Sequence, residues 1–294
     1  MSKNSIGIEI LHDALRYVVV NKKNQVLALG QSLIPNLINE NWQIDEPSLK
    51  IFFRDHIDKI PFKSSIVKIG LPAEYLIWGN IPLPQPVDAD DLEAIKTWLV
   101  PYFLVSPPKA FVSHVEPYTI HDKNFLGIYC LRQKIRLLFQ QICYDQHFQI
   151  HRLAIVTDHL FHLVRTFLPH LFSRNLILLY SVKCEHTLFI YYNQMIEAIQ
   201  SFQTENENEI AHALKERVIH LNQRPSLFEG LVLMGQTLSP ELEEGFRKEG
   251  FSNLYSFNIE TTGSISEKIY EQLVNRQQEA AFLGPLALAW NFHD

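Results

Sequence analysis

Handling phosphate asks two things of a chain: glycines that let the backbone come close, and a carboxylate that holds a metal ion or orients water. Two stretches of this sequence have the strand-turn-strand form in which such residues are delivered. The first is Ile6-Gly7-Ile8-Glu9-Ile10-Leu11-His12-Asp13-Ala14-Leu15-Arg16-Tyr17-Val18-Val19-Val20. The second is Leu176-Ile177-Leu178-Leu179-Tyr180-Ser181-Val182-Lys183-Cys184-Glu185-His186-Thr187-Leu188-Phe189-Ile190-Tyr191. One opens each half of the 294-residue chain, which points to a duplicated, two-lobed fold with a cleft between the lobes. Each turn largely lacks what a nucleotide would need, although Glu9 could bind a metal or polarise water. The 11 glycines include no adjacent pair and no pair separated by one residue, and direct reading finds neither a GxGxxG loop nor a Walker loop. The fold is expected to serve as a binding platform.

Other chemistries have less support. Among the 13 histidines, His147 and His151 are four apart and His159 and His162 three apart. No Cys or carboxylate at ligand spacing accompanies them and HExxH is absent, so a core or solvent role is expected and no metal. Asp158 beside His159 reads as a first-turn acid of a helix. No serine has a G-x-S-x-G context, and Cys130, Cys143 and Cys184 have no electropositive neighbourhood readable from sequence. Trp78, Trp98, Tyr102 and Phe103 surround a proline-rich stretch, where they either pack subdomains together or form an aromatic groove for an extended peptide.

Composition fits a globular protein with a sizeable core: 47% hydrophobic and 20% charged residues. A net charge of −6 without a Lys/Arg cluster argues against nucleic acid or an anionic bilayer as main partner. Three scattered cysteines point to a reducing compartment. Met1 to Ser5 has no long apolar run behind it, so no signal peptide is expected, and the most apolar stretches are too short to span a bilayer. A soluble, cytoplasmic protein is expected.

Periodicity supplies the elements that hold these residues. Residues 6–34 read as three strands with a turn at Asn21-Lys22-Lys23-Asn24, and Pro47 to Ile60 as an amphipathic helix. Strands follow at Ser65–Leu71 and Tyr75–Leu83, then a helix at Asp88–Tyr102. A hairpin is expected from Lys109–Pro117 and Phe125–Leu131, a helix at Gln133–His147 and a strand at Gln149–Val156. Thr157 is expected to cap a helix to about His170. After the second hairpin come a strand at Met195–Phe202, a helix at Glu205–Asn222, a strand at Leu227–Met234, a helix from Ser239 to Lys248 and a strand at Asn253–Asn258. Helical segments at Ile265–Asn275 and Gln278–Trp290 end the chain. The result is a mixed-sheet α/β protein.

This order of elements resembles the actin-like ATPase (ribonuclease H-like) superfamily, and within it the PilM branch of type IV pilus assembly proteins, with the cytoplasmic part of the type II secretion protein GspL a close second. Ile66-Val67-Lys68-Ile69-Gly70-Leu71-Pro72 with Ile77-Trp78-Gly79-Asn80-Ile81-Pro82-Leu83-Pro84 is similar to the family's "lP…v..r.i.lP". Asp91 to Tyr102 resembles its helix with a Pro-aromatic break, and residues 109–147 its small inserted subdomain. Ile155 to Arg165 resembles the helix entering the second lobe. Leu231-Val232-Leu233-Met234-Gly235-Gln236 resembles the strand that ends in paired glycines, and Ala280 to Ala289 the C-terminal "a.GlAl" helix. The resemblance implies a first lobe at 1–172, with a small subdomain at about 88–147, and a second lobe at 173–294 with a reduced nucleotide-closing subdomain.

Departures from the family pattern fall on the nucleotide cleft, lined on this reading by Glu9, Leu11, Ser181, Lys183, Gly235 and Gln236. The family's first Asp and Gly become Glu9 and Leu11, its second pair Ser181 and Lys183, and its Gly-Gly becomes Gly235-Gln236. The resemblance therefore implies a non-catalytic pseudo-ATPase without a cofactor: a cytoplasmic scaffold of a type II secretion or type IV pilus platform, peripheral to the inner membrane. Its implied partner is the N-terminal cytoplasmic tail of a bitopic inner-membrane protein (of the PilN, GspL or GspM kind), held near Trp78, Leu83, Trp98, Tyr102 and Phe103. The assembly ATPase and a second copy of the chain are further partners in view. The alternative is an active ATP-binding or sugar-kinase-like enzyme using Glu9.

Overall fold

The computed structural model describes the chain except residues 1–3, 40–42, 58–65, 89–90, 105–109, 121–122, 146–149, 183, 193–194, 205, 222–223, 236–238, 268, 270–272, 274–278 and 293–294. The first half holds β1 (Ser5–Ile10), β2 (Ala14–Val20), β3 (Val26–Leu33), α1 (Glu46–Phe52), β4 (Ile66–Leu71), β5 (Leu76–Leu83), α2 (Leu92–Phe103), β6 (Phe111–Ile120), β7 (Lys123–Arg132), α3 (Gln133–Asp145), β8 (Ile150–Ile155) and α4 (Val156–Phe167). The second holds β9 (Leu176–Val182), β10 (Glu185–Tyr192), β11 (Met195–Gln203), α5 (Glu207–His220), β12 (Gly230–Met234), α6 (Pro240–Lys248), β13 (Leu254–Phe257) and α7 (Leu283–Ala289).

The duplication is explicit in the sheets. One has the order β3-β2-β1-β4-β8 and the other β11-β10-β9-β12-β13. In each, an antiparallel three-strand meander is followed by two parallel strands beside its first strand. Alternation along the central strands decides what lies where. Ile6, Ile8 and Ile10 of β1 face α1 and α3. Ile177 and Leu179 of β9 face α5 and α6. The opposite faces meet in one core between the sheets, containing Leu176, Leu178, Tyr180 and Val182 together with α4 and α7.

Helix α7 seats on β1, β2 and β4. It can do so because β1 has no side chain at Gly7: a Cβ there would collide with the α7 backbone. Lys68 Nζ donates to the Trp290 carbonyl at 2.9 Å, satisfying a group left open where the helix ends. Asn24 is held at φ 59°, and its side chain both donates to the Asn291 carbonyl and accepts from the Asn291 N–H. The C-terminal segment is thus fastened to the first lobe, so a second lobe taken as 173–294 includes a helix that belongs structurally to both.

A separate three-stranded antiparallel sheet, β5-β7-β6, is covered by α2, whose Leu92 and Ile95 pack on Val115, Leu126, Ile128 and Cys130. Its extent differs from the expected 88–147. Strand β5 begins earlier, at Leu76, because it pairs along β7 through Leu83. Helix α3 turns Ile135, Phe139 and Ile142 into the first lobe's own core instead. Asn80 Nδ2 donates to the Ile196 carbonyl of β11 at 3.0 Å, tying the small sheet to the second lobe.

Most boundaries match the sequence expectations, with informative exceptions. Helix α4 starts at Val156 with Ile155 as N-cap and no side-chain cap, so Thr157 is already inside it. Residues 225–227 form a 3-10 turn, and the strand begins only at Gly230. The Gln278–Trp290 helix is divided into a 3-10 turn, Glu279–Phe282, and α7. Pro285 has no N–H and is accepted in a first turn but not mid-helix. Much of the expected helix at Ile265–Asn275 lies outside the described residues.

Candidate functional site

The β1–β2 and β9–β10 hairpin ends border one cleft of about 320 Å³, with Leu11 and His12 on one side and Val182 and Glu185 on the other. Its border includes Glu9, Leu11, His12, Glu74, Glu185 and Phe202. Glu9 projects from β1 on the face opposite Ile8 and Ile10, so its carboxylate enters the region between the lobes. It is 1% exposed. Tyr180, the corresponding inward residue of β9, donates from its hydroxyl to Glu9 Oε1 at 2.9 Å. The Gly284 backbone in turn hydrogen-bonds Tyr180, a use for one of the N–H groups that the start of α7 leaves without a helical partner. A Cβ on Gly284 would stand 2.5 Å from both Glu9 Oε1 and the Tyr180 hydroxyl oxygen. Three elements that are far apart in sequence therefore converge on one carboxyl group.

Burial dominates the electrostatics. The Glu9 carboxyl is raised from 4.5 to about 7 by desolvation, against the pull of Arg16 and the Tyr180 hydrogen bond, with Glu185 adding repulsion. Burial also pushes the Tyr180 hydroxyl far above its usual range. Arg16 lies opposite Glu9 in the β1–β2 ladder and is equally buried, yet its Nε donates to Gln31 Oε1 at 2.9 Å. Glu9 Oε2 has no hydrogen-bond partner.

At the mouth of the cleft the two turns are joined directly. His12 Nδ1 lies 3.0 Å from Glu185 Oε1, with the two side chains 24% and 22% exposed. The hydrogen bond to Glu185 raises the His12 pKa, with Glu74 and Asp13 adding in the same direction.

Of the six residues expected to line the cleft, Glu9 and Leu11 do so. Ser181 does not, because it sits on the face of β9 opposite Tyr180, where its Oγ is 2.9 Å from His186 Nδ1. Spacing placed the motif one residue late, and in a strand one residue changes the face. Gly235 also stands back from the cleft: at φ 87° it brings its backbone against the Ser181 carbonyl, a conformation and an approach that other residues resist. Lys183 and Gln236 lie outside the described residues.

Of the aromatic-groove residues, Trp98 stands 65% exposed on α2. Leu83, at the end of β5, packs partly buried on the small-sheet core. The side chains of Trp78, Tyr102 and Phe103 lie outside those described. His159 is a core residue, its pKa lowered to about 3 by burial first and by nearby Arg152 and Lys68. Among the described residues no group of three or more His, Cys, Asp or Glu is placed to hold a metal ion, and no helix is long and apolar enough to cross a membrane.

Sequence reading missed Tyr180, Arg16, Gly284 and the His12–Glu185 pair. One signal was available: a tyrosine inside the aliphatic run Leu176 to Val182 needs a partner for its hydroxyl.

Comparison with solved structures places this arrangement. The chain is similar to a protein of the PilM–PilN type IV pilus biogenesis complex, with a TM-score of 0.78 at 14% identity over 97% of each chain. A Bacteroides thetaiotaomicron protein of unknown function and actin-like ATPase fold gives 0.55 at 14% identity, covering 92% of this chain and 96% of that one. The cytoplasmic domain of EpsL, an inner-membrane component of the Vibrio cholerae type II secretion system, gives 0.52 at 10% identity, covering 84% and 94%. No family model matches the sequence, and no curated protein does. The fold is the actin-like ATPase fold.

Proposed function

We propose that this chain is a non-catalytic, actin-like scaffold of a type IV pilus or type II secretion inner-membrane platform. It binds the short N-terminal cytoplasmic tail of a bitopic membrane protein, and through that partner sits at the inner membrane. The observation that carries this reading is the likeness to the PilM–PilN complex along nearly all of both chains. The chemistry of the cleft supports the non-catalytic part. Phosphoryl transfer needs a metal held by ionised carboxylates and a nucleophile in line. Here the one carboxylate on the floor is half protonated near neutrality, bound by a tyrosine, and backed by a leucine where the family has glycine. On this reading the tail lies beside the small sheet, where Trp98 stands exposed on α2.

Titrating the purified chain with a synthetic peptide of the tail encoded by a neighbouring gene tests the proposal. Saturable binding in the micromolar range supports it. Absence of binding at high micromolar peptide contradicts it.

An active nucleotide-binding enzyme is the second reading, and one observation favours it: the cleft is open enough to hold a small molecule and Glu9 reaches it. Thermal unfolding with and without Mg-ATP separates the two.

A further inference from the structure

The interlobe cleft has the reverse of a phosphate site's chemistry. Glu9 forms its floor, Glu74 and Glu185 stand on its border, and Leu11, Val156 and Val182 supply apolar wall. An acidic border alone would be unremarkable, since carboxylates at a rim are solvated. What singles this cleft out is Glu9 itself. Its side chain is buried, borders the cavity, and leaves Oε2 with no hydrogen-bond partner. Native proteins seldom leave a buried carboxylate oxygen unsatisfied, because losing its hydration without a replacement costs free energy. Arg16, opposite Glu9 in the ladder, lowers the carboxyl's pKa through its charge but makes no hydrogen bond to it: its Nε donates to Gln31, and its Nη1 is likewise buried without a hydrogen-bond partner.

We propose that the cleft binds a small organic cation, an alkyl-ammonium or alkyl-guanidinium compound whose charged head donates to Glu9 Oε2 and whose stem lies along Leu11 and Val182. A metal ion fits less well, because the described residues offer no set of three ligands and the walls are apolar. A free small molecule is proposed in preference to a side chain of a partner protein, because the His12–Glu185 pair ties together the two turns that border the cleft. The site is independent of the groove assigned to the tail peptide.

A pH signature follows. Glu9, raised to about 7, is faced by Arg16 from β2, Tyr180 from β9 and Glu185 from β10. His12, also raised, is faced by Glu185, Glu74 and Asp13. A cation must displace the Glu9 proton, and it is repelled by protonated His12. Both effects weaken binding at low pH, so affinity rises with pH through about 7, by up to about tenfold per pH unit for each proton released.

The test is a calorimetric or NMR titration of the full chain with n-butylguanidinium and n-butylammonium, with neutral n-butanol and anionic butyrate as shape controls, at about pH 6 and about pH 8. The expected result is saturable binding of the two cations alone, tighter at the higher pH by about tenfold or more. Glu9→Gln should weaken the cations by about tenfold or more, since with its oxygen on Tyr180 the glutamine presents a donor NH2 at the Oε2 position and carries no charge. Glu185→Gln, at the partly exposed border, should weaken them by a smaller factor and guards against a folding defect in the first variant. Equal binding of butanol, binding unchanged in Glu9→Gln, or no response to either cation at millimolar concentration would each overturn the proposal.

Discussion

Replacing Glu9 by glutamine isolates the one carboxyl group on which both lobes converge. Glutamine keeps the side-chain shape and an oxygen to accept from Tyr180, and removes only the titrating proton. The carboxyl is raised from 4.5 to about 7, with burial as the main cause. The folded chain therefore holds this proton to a higher pH than the unfolded chain does. Its contribution to stability is complete below about 4.5 and is lost as pH rises through about 7. The gap between 4.5 and about 7, at about 1.4 kcal/mol for each pH unit, amounts to about 3 kcal/mol. Urea unfolding of the wild type and of Glu9→Gln across this range measures it. His12 also has a raised pKa and lowers stability in the same direction, but it is present in both proteins and cancels in the difference. The variant should gain on the wild type by about 3 kcal/mol between about pH 4.5 and about pH 8, with the gain levelling off above that. A difference independent of pH would mean that Glu9 titrates as an exposed glutamate, and the buried site as described would be wrong.

Tyr180→Phe should cost about 1–3 kcal/mol in the same unfolding assay, because it leaves the buried Glu9 Oε1 without its donor. Gly284→Ala should cost about 1–3 kcal/mol, since the added methyl meets Glu9 and Tyr180 at 2.5 Å in a fully buried helix; a neutral substitution would show that α7 can shift away from the pair. His12→Ala should cost about 0.5–1 kcal/mol at mildly acid pH and less as pH rises past the raised His12 value, because the bridge to Glu185 is charged only while the imidazole is protonated. Trp98→Ala should weaken the tail peptide at least about tenfold while leaving urea unfolding within about 0.5 kcal/mol, as expected for an exposed side chain that contacts a partner.

The architecture was largely legible because it is written locally. Ile6 to Val20 and Leu176 to Tyr191 are continuous runs of β-formers broken only at short polar turns, and the helices show their apolar faces. What could not be read was non-local. That β5 pairs with β7, and not with the main sheet, depends on contacts about fifty residues apart, on which strand periodicity is silent. Glu9 and Tyr180 are 171 residues apart, and they meet because Gly7 and Gly284 let α7 press between the sheets. Matching motifs by spacing selected Ser181 in place of Tyr180, since a strand buried on both faces gives no clue to which face is the interlobe face. His12 and Glu185 are unremarkable turn residues until the lobes close on each other. Leu11 was legible as an obstacle, because its bulk matters wherever the turn is placed.

The proposal that the interlobe cleft takes no nucleotide is tested most directly by thermal unfolding with and without saturating Mg-ATP. With the turns joined at 3.0 Å and Glu9 committed to Tyr180, the melting temperature should not move. An upward shift matching about 2.7 kcal/mol of added stability, as a ligand at a hundred times its Kd produces, would contradict the account and restore the enzyme reading.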